Sequence, residues 1–225
     1  MFVRDVCVRN VQCVTVTATA EEALALVEAT GLHSIPVVQD QAIVGVITSE
    51  ALYQHKLAGR SAEEPVGSIM GPAPDPVRFS SLVEEAAARM VGQPYNFLPV
   101  VEADGRFAAI VTRDALFAEL CRLFGLGETN TRYTLLVIDR PGQIARLAEI
   151  VYEHHGNITH LITHRTDQPD RYIVVLRVSV ASPGRLAHAF AMAGFGVLDA
   201  INFENGRRIG SALGLLADPD SAIED

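Results

Sequence analysis

Apolar residues recur along the chain at two spacings, which predict different elements. Short continuous runs such as residues 35–38 (IPVV) and 98–101 (LPVV) indicate buried strands, whereas spacings of three and four residues indicate helices. Within residues 1–125 these elements follow the order strand, helix, strand, strand, helix, and then repeat it. The pattern therefore predicts two similar units in tandem.

A constant shift along the sequence superimposes the two units, which identifies them as copies of one repeat. The residues that it superimposes are Val3 and Val66, Val14 and Val77, Glu22 and Glu85, and residues 35–38 and 98–101. One extra residue near Gly105 lengthens the second copy, and beyond it residues 46–48 (VIT) match residues 110–112 (IVT). We expect the copies to occupy residues 1–62 and 63–125.

Each copy carries signals for two helices and for two strands between them. Residues 19–22 (TAEE) and 81–84 (SLVE) have the pattern of a capping box, in which a hydroxyl and a carboxylate satisfy the first amides of a helix. Because proline cannot donate to a sheet, Pro36 and Pro99 predict the first residue of a strand or an edge position. The expected helices span residues 20–30, 50–58, 82–91 and 114–124, and the expected strands span residues 35–38, 42–48, 98–101 and 106–112.

A different order of elements follows a short polar linker at residues 126–131. We expect strands at residues 132–138, 157–166, 171–180 and 195–203, and helices at residues 142–154 and 183–193. The order β-α-β-β-α-β is the ferredoxin-like arrangement, with helices on one face of an antiparallel sheet. The predicted fold class is therefore α/β (α+β), with a ferredoxin-like domain at residues 132–204 and a C-terminal extension at residues 205–225.

The turn at residues 139–142 (DRPG) joins the first strand of this domain to its first helix. Pro141 fixes φ, and Gly142 lets another group approach the backbone closely. Asp139 can accept a hydrogen bond from an amino group, and amides near Gly142 can donate to a carboxylate. The same residues also fit a plain Pro-Gly turn, with Asp139 as the N-cap of the helix.

Composition and charge exclude several classes of partner. The 225 residues carry 27 acidic and 18 basic side chains, a formal net charge of −9, so a concentrated basic face for nucleic acid is not expected. Cys7, Cys13 and Cys121 lack a CxxC pair, which argues against a disulfide framework or a thiolate metal site. A charged N-terminus and the lack of a long apolar run predict a soluble, cytoplasmic protein without membrane segments.

No pattern of catalytic residues stands out. GxSxG, HExxH and GxxxxGK are absent from the sequence, so we expect no enzyme. On a strand, His160 and His164 would share a face, but no carboxylate or cysteine joins them in that alternation. A polar outer face of the sheet explains the histidines better, and we assign no metal. A small metal-dependent enzyme ranks last among the hypotheses.

The tandem repeat, with its (I/L)PVV strand and a following strand that ends in threonine, resembles the CBS domain. This resemblance implies a pseudo-twofold pair, the Bateman module, with two clefts that bind adenosyl ligands such as AMP or S-adenosylmethionine in many family members. The residues that the resemblance implies for these sites are Val14, His33, Ile35, Pro36 and Thr48 in the first copy and Val77, Asn96, Leu98, Pro99, Thr112 and Arg113 in the second.

One part of the CBS pattern is missing. In the family, an aspartate three residues after the strand-terminal Thr or Ser grips the ribose, whereas Ala51 and Ala115 stand at these positions here. Two interpretations follow: a changed or weakened nucleotide site, or a module kept for its architecture. Thr48 and Thr112 can contact ribose or phosphate, and they can equally be ordinary helix caps.

The C-terminal domain, with the DRPG turn and the sequence Gly-Asn-Ile at residues 156–158, resembles the ACT domain. This resemblance implies a small ligand, commonly an amino acid, at the turn and at an interface between two ACT domains. The turn residues that match are Asp139, Pro141, Gly142, Gln143 and Ile144, and Asn157 with Ile158 matches the segment that reaches the ligand from the partner. Many ACT domains serve only to dimerise.

A CBS pair followed by one ACT domain resembles the bacterial AcuB family of acetoin-utilisation proteins. We hypothesise a non-catalytic regulator that senses a small metabolite and forms a homodimer, with no cofactor required and an adenine nucleotide or S-adenosylmethionine as candidate effector. The alternative is a structural adaptor that builds a dimer and recruits an unidentified target protein. The identity of the effector is open.

Overall fold

In the computed structural model of the chain, residues 1–204 and 207–211 are described. The chain divides into two compact units, the first of which is Met1–Leu120 and the second of which starts at Cys121. The helices and strands of the repeated copies are β1 (Val14–Thr15), α1 (Ala20–Thr30), β2 (Ser34–Gln39), β3 (Ala42–Thr48), α2 (Ser49–Leu57), β4 (Gly71–Pro72), β5 (Val77–Arg78), α3 (Val83–Met90), β6 (Phe97–Val101), β7 (Phe107–Thr112) and α4 (Arg113–Leu123). The tandem β-α-β-β-α fold class is confirmed.

The two copies have equivalent sheets. In the first copy β1 pairs parallel with β2, and β2 pairs antiparallel with β3. In the second copy β5 pairs parallel with β6, and β6 pairs antiparallel with β7. Two separate clusters of buried aliphatic side chains lie under these sheets, one built around Ile35 and Leu52 and the other around Leu98 and Leu116.

Each copy begins with a short 3-10 turn that lies on the other copy. The turn Val3–Asp5 belongs in sequence to the first copy, yet the amide of Val3 donates to the carbonyl of Ser81 at 2.9 Å. The turn Val66–Ser68 opens the second copy, and the amide of Val66 donates to the carbonyl of Ala18 at 2.8 Å. The exchange is reciprocal, as a pseudo-twofold pair requires.

The second unit contains β8 (Thr131–Ile138), α5 (Gln143–Glu153), β9 (Asn157–Arg165), β10 (Arg171–Ser179), α6 (Pro183–Met192), β11 (Gly196–Asn202) and β12 (Arg207–Ser211). Its sheet has the order β12-β11-β8-β10-β9. The first four strands in sequence form the ferredoxin-like sheet, in which both central strands, β8 and β10, pair antiparallel with each other. The predicted β-α-β-β-α-β fold is therefore confirmed, and β12 extends its β11 edge.

Alternating residues of β8 and β10 face the two helices and form the core of this unit. Tyr133, Leu135 and Val174 have no exposed surface. The ring of Tyr133 meets the ring of Phe190 edge-on at a centroid distance of 5.4 Å, and its hydroxyl donates to the carbonyl of Pro183 at 2.9 Å. This satisfies the polar end of an otherwise apolar core residue.

Asn130 fastens the chain before β8 to the sheet. Its side-chain amide donates to Glu128 Oε2 at 3.0 Å and to Thr159 Oγ1 at 3.1 Å, and its Oδ1 accepts from Arg177 Nη1 at 3.1 Å. Arg177 is only 3% exposed, and its guanidinium carbon lies 5.0 Å from the ring centroid of Phe203. Loss of solvent around Arg177 lowers the pKa of its guanidinium. A buried charge is thus held by one amide and one aromatic face.

Two local predictions differ from the structure in an informative way. Thr19 and Glu22 form the predicted capping box of α1, but Ser81 does not cap α3. The Ser81 hydroxyl instead accepts from the amide of Arg78 at 3.2 Å, which closes the turn before the helix, and Leu82 is the N-cap. The predicted capping box at residues 81–84 is therefore wrong, because the amide of Arg78 takes the hydroxyl of Ser81.

The prolines of β2 and β6 occupy the third position of their strands. Pro36 pairs with Val46 of β3, while β1 pairs only with the two residues that follow it, Val37 and Val38. Pro99 has the equivalent place in β6, before the residues that pair with β5. The alternative that each proline is the first residue of its strand is therefore wrong. Each proline instead lies beyond the end of the parallel neighbour, β1 or β5, so no strand pairs with it on that side.

Among residues 1–204 and 207–211, no helix combines the length and the apolar character needed to cross a bilayer. Of the predicted C-terminal extension, residues 207–211 form β12, and the rest lies outside the described residues.

Candidate functional site

The DRPG turn leaves β8 and enters α5 through its own backbone. The amide of Asp139 donates to the carbonyl of Asp170 at 2.8 Å, which fixes the turn to the start of β10. Gly142 is the N-cap of α5 at φ +87°, and no side chain caps the helix. Only glycine adopts this backbone conformation readily. The alternative that Asp139 is the N-cap is therefore wrong, and its carboxylate is left to other partners.

A cavity of about 400 Å³ lies beside this turn. Its lining residues are Asp139, Ile144, Thr163, His164, Arg165 and Tyr172. Tyr172 of β10 pairs with Arg165 of β9. Tyr172 lies on the same face of β10 as the buried residues Val174 and Leu176, and this face packs against the helices. The cavity therefore opens on the helix side of the sheet, at the end where α5 begins.

The pKa of Tyr172 is affected by its place in this cavity. Burial raises the pKa of its hydroxyl, and the nearby carboxylate of Asp139 raises it further. A tyrosine hydroxyl is protonated at neutral pH with or without this shift, so it can donate a hydrogen bond to a ligand. The cavity thus offers a carboxylate acceptor, a guanidinium, two hydroxyls and an aliphatic wall.

The predicted ligand residues of this domain separate into two groups. Asp139 and Ile144 line the cavity, and Pro141, Gly142 and Gln143 form the adjoining turn. Asn157 and Ile158 lie at the opposite end of β9, where Asn157 pairs with Ser179. Within one chain the structure does not bring these two groups together.

Four lining residues were missed by the sequence analysis: Thr163, His164, Arg165 and Tyr172. Their place depends on the register of the β9-β10 hairpin, which sets Arg165 against Tyr172. The signal available in the sequence was the alternation of Thr163 and Arg165 at the end of a predicted strand. This alternation indicates that Thr163 and Arg165 share a face of the strand, but it does not indicate that this face lies beside the DRPG turn.

Most residues predicted for the nucleotide sites are buried strand residues of the CBS-like copies. Ile35 and Pro36 lie in β2 beside Val14 of β1, and Leu98 and Pro99 lie in β6 beside Val77 of β5. All six are buried. Leu98 also lines a cavity of about 340 Å³ together with Asp75 and Tyr95.

The strand-terminal threonines cap the helices that follow them. Thr48 Oγ1 accepts from the amide of Ala51 at 3.1 Å, and Thr112 Oγ1 accepts from the amide of Ala115 at 3.2 Å. The residue after each threonine donates its backbone amide to the residue just before the first strand of the hairpin. In the first copy, the amide of Ser49 donates to the carbonyl of His33, before β2, at 3.0 Å. In the second copy, the amide of Arg113 donates to the carbonyl of Asn96, before β6, at 2.7 Å. The structure therefore brings His33 next to Thr48 and Asn96 next to Thr112.

The guanidinium of Arg113 is bound by backbone carbonyls of the same copy. Its Nη2 donates to the carbonyls of Tyr95 at 2.9 Å and Gln93 at 3.1 Å. The same residue lines a largely apolar groove of about 460 Å³ between α3 and α4, with Leu116 and Phe117. A phosphate at Arg113 would have to share the guanidinium with these carbonyls.

The histidines of β9 were considered as metal ligands in the sequence. His160 and His164 do share one face of β9, as their spacing predicts. In the described part of the chain, no group of three His, Cys, Asp or Glu side chains has the arrangement needed to hold a metal ion.

The fold defines a two-module protein: an intertwined pair of small α/β repeats and a ferredoxin-like domain with a cavity at its first turn. Family models agree with this division, since the CBS domain model matches residues 3–57 and 66–122 and the ACT domain model matches residues 134–191. The chain therefore belongs to the CBS-domain family and carries an ACT domain after its CBS pair.

The relatives found by sequence and by structure share the CBS pair. CBSX2, a chloroplastic CBS domain-containing protein of Arabidopsis thaliana, is 27% identical over 134 residues, which are 47% of this chain and 56% of that protein. The chain thus spans little more than half the length of this curated relative. The crystal structure of CBSX2 covers 54% of this chain and 95% of its own, with 27% identity and a TM-score of 0.50.

Two further solved structures are similar to this chain over a comparable part of its length. CBSX2 in complex with AMP is 28% identical and covers 54% of this chain and 97% of its own, with a TM-score of 0.47. AcuB from Vibrio cholerae is 22% identical and covers 56% of this chain and 94% of its own, with a TM-score of 0.49.

Proposed function

We propose that this protein is a non-catalytic, cytoplasmic regulator that senses small metabolites. The ACT domain binds an amino-acid ligand at the DRPG turn, and the CBS pair binds an adenine nucleotide. The protein acts as a homodimer, and effector binding favours one arrangement of its domains over another. Such coupling requires that the ligand bind one arrangement more tightly than the other.

The observation that carries this proposal is the cavity beside the DRPG turn. It contains the carboxylate of Asp139 and the hydroxyl of Tyr172, which is protonated at neutral pH and can donate a hydrogen bond. A concave site with a few polar groups and an apolar wall, here Ile144, is typical of small-molecule binding. Asp139 is not needed as a helix cap, which leaves its carboxylate available to an amino group.

For the CBS pair, support for a nucleotide comes from the family and from the relative CBSX2, which binds AMP. AMP is therefore the first nucleotide to test, followed by ATP and S-adenosylmethionine. The cleft residues proposed for this ligand include His33 and Thr48 in the first copy and Asn96 and Thr112 in the second. These pairs lie together at equivalent strand ends.

A second candidate function is a structural adaptor, in which the CBS pair builds a dimer and binds a target protein without a nucleotide. Two features favour it: the hydroxyls of Thr48 and Thr112 are used as helix caps, and alanines stand at both ribose positions. Each missing hydrogen bond to a ligand weakens binding by roughly 1 kcal/mol or more.

A thermal-shift titration of the full chain tests the proposal. A ligand that binds only the folded state raises the melting temperature by mass action. We expect a saturable shift with at least one of the twenty L-amino acids, and loss of that shift in Asp139→Asn. Asp167→Asn, an exposed carboxylate in the β9-β10 turn, is the matched control and should retain it. If the shift were equal in both variants, the ligand would not bind at the DRPG turn.

A further inference from the structure

The cavity beside the DRPG turn holds two opposite charges that do not neutralise each other. Asp139 and Arg165 both line it. Within residues 1–204 and 207–211, neither side chain forms a hydrogen bond or an ion pair with another residue. A pair of opposite charges that faces one cavity without contact leaves both groups to a ligand that carries the complementary charges.

The two charged residues come from different places in the sheet. Ile138, next to Asp139, pairs with Arg171 on one side of β10, and Arg165 pairs with Tyr172 on the other side. The two backbones are therefore separated by two strand spacings, roughly 10 Å. Asp139 and Arg165 thus reach the cavity from backbones on opposite sides of β10.

The remaining lining residues fit an amino acid in this cavity. Tyr172 lies between the two charges in the sheet, and its protonated hydroxyl can donate to a carboxylate. The Thr163 hydroxyl can donate to the same group, and Ile144 supplies an apolar surface for the ligand's side chain. Gly142 is not one of the lining residues, so the amides around it are less suited to hold the carboxylate than the sequence suggested.

We propose that Arg165 is the residue that recognises the carboxylate of a zwitterionic α-amino acid, while Asp139 binds its ammonium group. This inference rests on the proposed function, because it describes the ligand of the same ACT cavity. It assigns a specificity role to a residue outside the DRPG turn and its helix. Arginine is suited to the role because its planar guanidinium binds a carboxylate through two parallel hydrogen bonds.

The test compares Arg165→Gln with Arg185→Gln in the full chain by calorimetric titration with the amino acid that gives the largest thermal shift. Arg185 is an exposed arginine on α6 outside the cavity, so its replacement changes the net charge equally. We expect affinity to fall at least about tenfold in Arg165→Gln and to stay unchanged in Arg185→Gln. Unliganded melting temperatures check that both variants fold.

A change in the ligand's carboxylate tests the same contact with Arg165. The carboxamide of that amino acid lacks the negative charge, so it should bind wild type at least about tenfold more weakly and should bind Arg165→Gln no worse than the parent amino acid does. Equal affinity of wild type and Arg165→Gln for the amino acid would overturn the role of Arg165 and leave amino-acid sensing intact. If no amino acid bound wild type, the proposed ACT ligand and this inference would both fail.

Discussion

Val3 and Val66 occupy equivalent places in the two CBS copies, and each is fully buried in the core of the other copy. Val3 packs with Val83 and Leu98 of the second copy, whereas Val66 packs with Ile35 and Leu52 of the first. A residue that opens one repeat thus completes the core of its neighbour. Each CBS copy therefore has an incomplete core without the residue that the other copy supplies.

The first prediction concerns this exchange. Replacing Val3 by alanine removes two buried methyl groups and should lower the free energy of unfolding by about 2 kcal/mol. Hydrogen exchange should rise first in α3 and β6, which belong to the second copy. Val91→Ala, at an exposed valine, should change stability by less than about 0.5 kcal/mol. Faster exchange confined to α1 and β2 would contradict the exchanged packing.

A second prediction concerns the chain between α4 and β8. A β-carbon on Gly125 would lie 2.6 Å from His160 Nδ1 and 2.8 Å from Arg177 Cδ, whereas one on Gly127 would meet nothing within 4 Å. Both glycines have positive φ, so alanine at either position costs about 1–2 kcal/mol of stability. Gly125→Ala should cost a further 1–3 kcal/mol or so, because it also overpacks the site. Urea denaturation of the two variants measures the difference, and equal midpoints would contradict the close packing at Gly125.

The third prediction concerns the buried charge of Arg177. Asn130→Ala should lower the free energy of unfolding by about 2 kcal/mol, since it removes the acceptor of a buried guanidinium. The cost of the double variant Asn130→Ala with Arg177→Met should be smaller than the sum of the single costs, because the unpaired charge is then also removed. Asn157→Ala, at an exposed asparagine, serves as the control. Strict additivity in this double-mutant cycle would show that the two side chains are not coupled.

The fourth prediction is a pH dependence at Cys13. Burial raises the pKa of its thiol from 9.0 to about 11. Because the thiolate is the reactive form, iodoacetamide at pH 8 should modify Cys13 about a hundredfold more slowly in the native protein than in urea. Peptide mapping by mass spectrometry gives both rates, and similar rates in the two conditions would contradict the raised pKa of the Cys13 thiol.

The raised pKa of Cys13 also makes the protein less stable at high pH. The native state keeps the Cys13 proton at a pH where the unfolded chain has lost it. The free energy of unfolding should therefore be unaffected below pH 9 and should fall as the pH rises toward about 11. Cys13→Ala should lack this part of the alkaline destabilisation.

The fifth prediction tests the missing ribose carboxylates. Ala51→Asp with Ala115→Asp should tighten AMP binding by the CBS pair at least about tenfold, since each aspartate adds an acceptor for ribose hydroxyls. Both positions lie in the first turn of a helix, where a negative charge is favourable, so the variant should fold. Ala118→Asp, at an exposed position of α4, controls for charge. Unchanged AMP binding would favour the adaptor function for the CBS pair.

Much of the fold could be predicted because its signals are local. The Thr19 capping box, the (I/L)PVV strands and the regular spacing of apolar residues in α5 each depend on residues close in sequence. Ser81 shows the limit of such signals, because its hydroxyl had two amides within reach and bonds the one of Arg78. β12 was not predicted as a separate strand, since its pairing with β11 depends on the tertiary structure.

Relations between distant segments could not be predicted in the same way. The repeat aligns Val3 with Val66, but an alignment of copies does not say which copy each segment packs on. The candidate ACT site shows the same limit, because Asp139 could be identified from its turn, whereas Arg165 and Tyr172 reach it through the register of a hairpin. The burial of Arg177 likewise depends on Asn130, which lies 47 positions away in sequence.

The central claim, that the protein senses small metabolites, is tested most directly by isothermal titration of the full wild-type chain with AMP and with each of the twenty L-amino acids. We predict saturable binding of at least one amino acid, with the affinity reduced in Asp139→Asn, and binding of AMP that strengthens when Ala51 and Ala115 are replaced by aspartate. Absence of saturable binding for every one of these ligands would contradict the account and favour the structural adaptor.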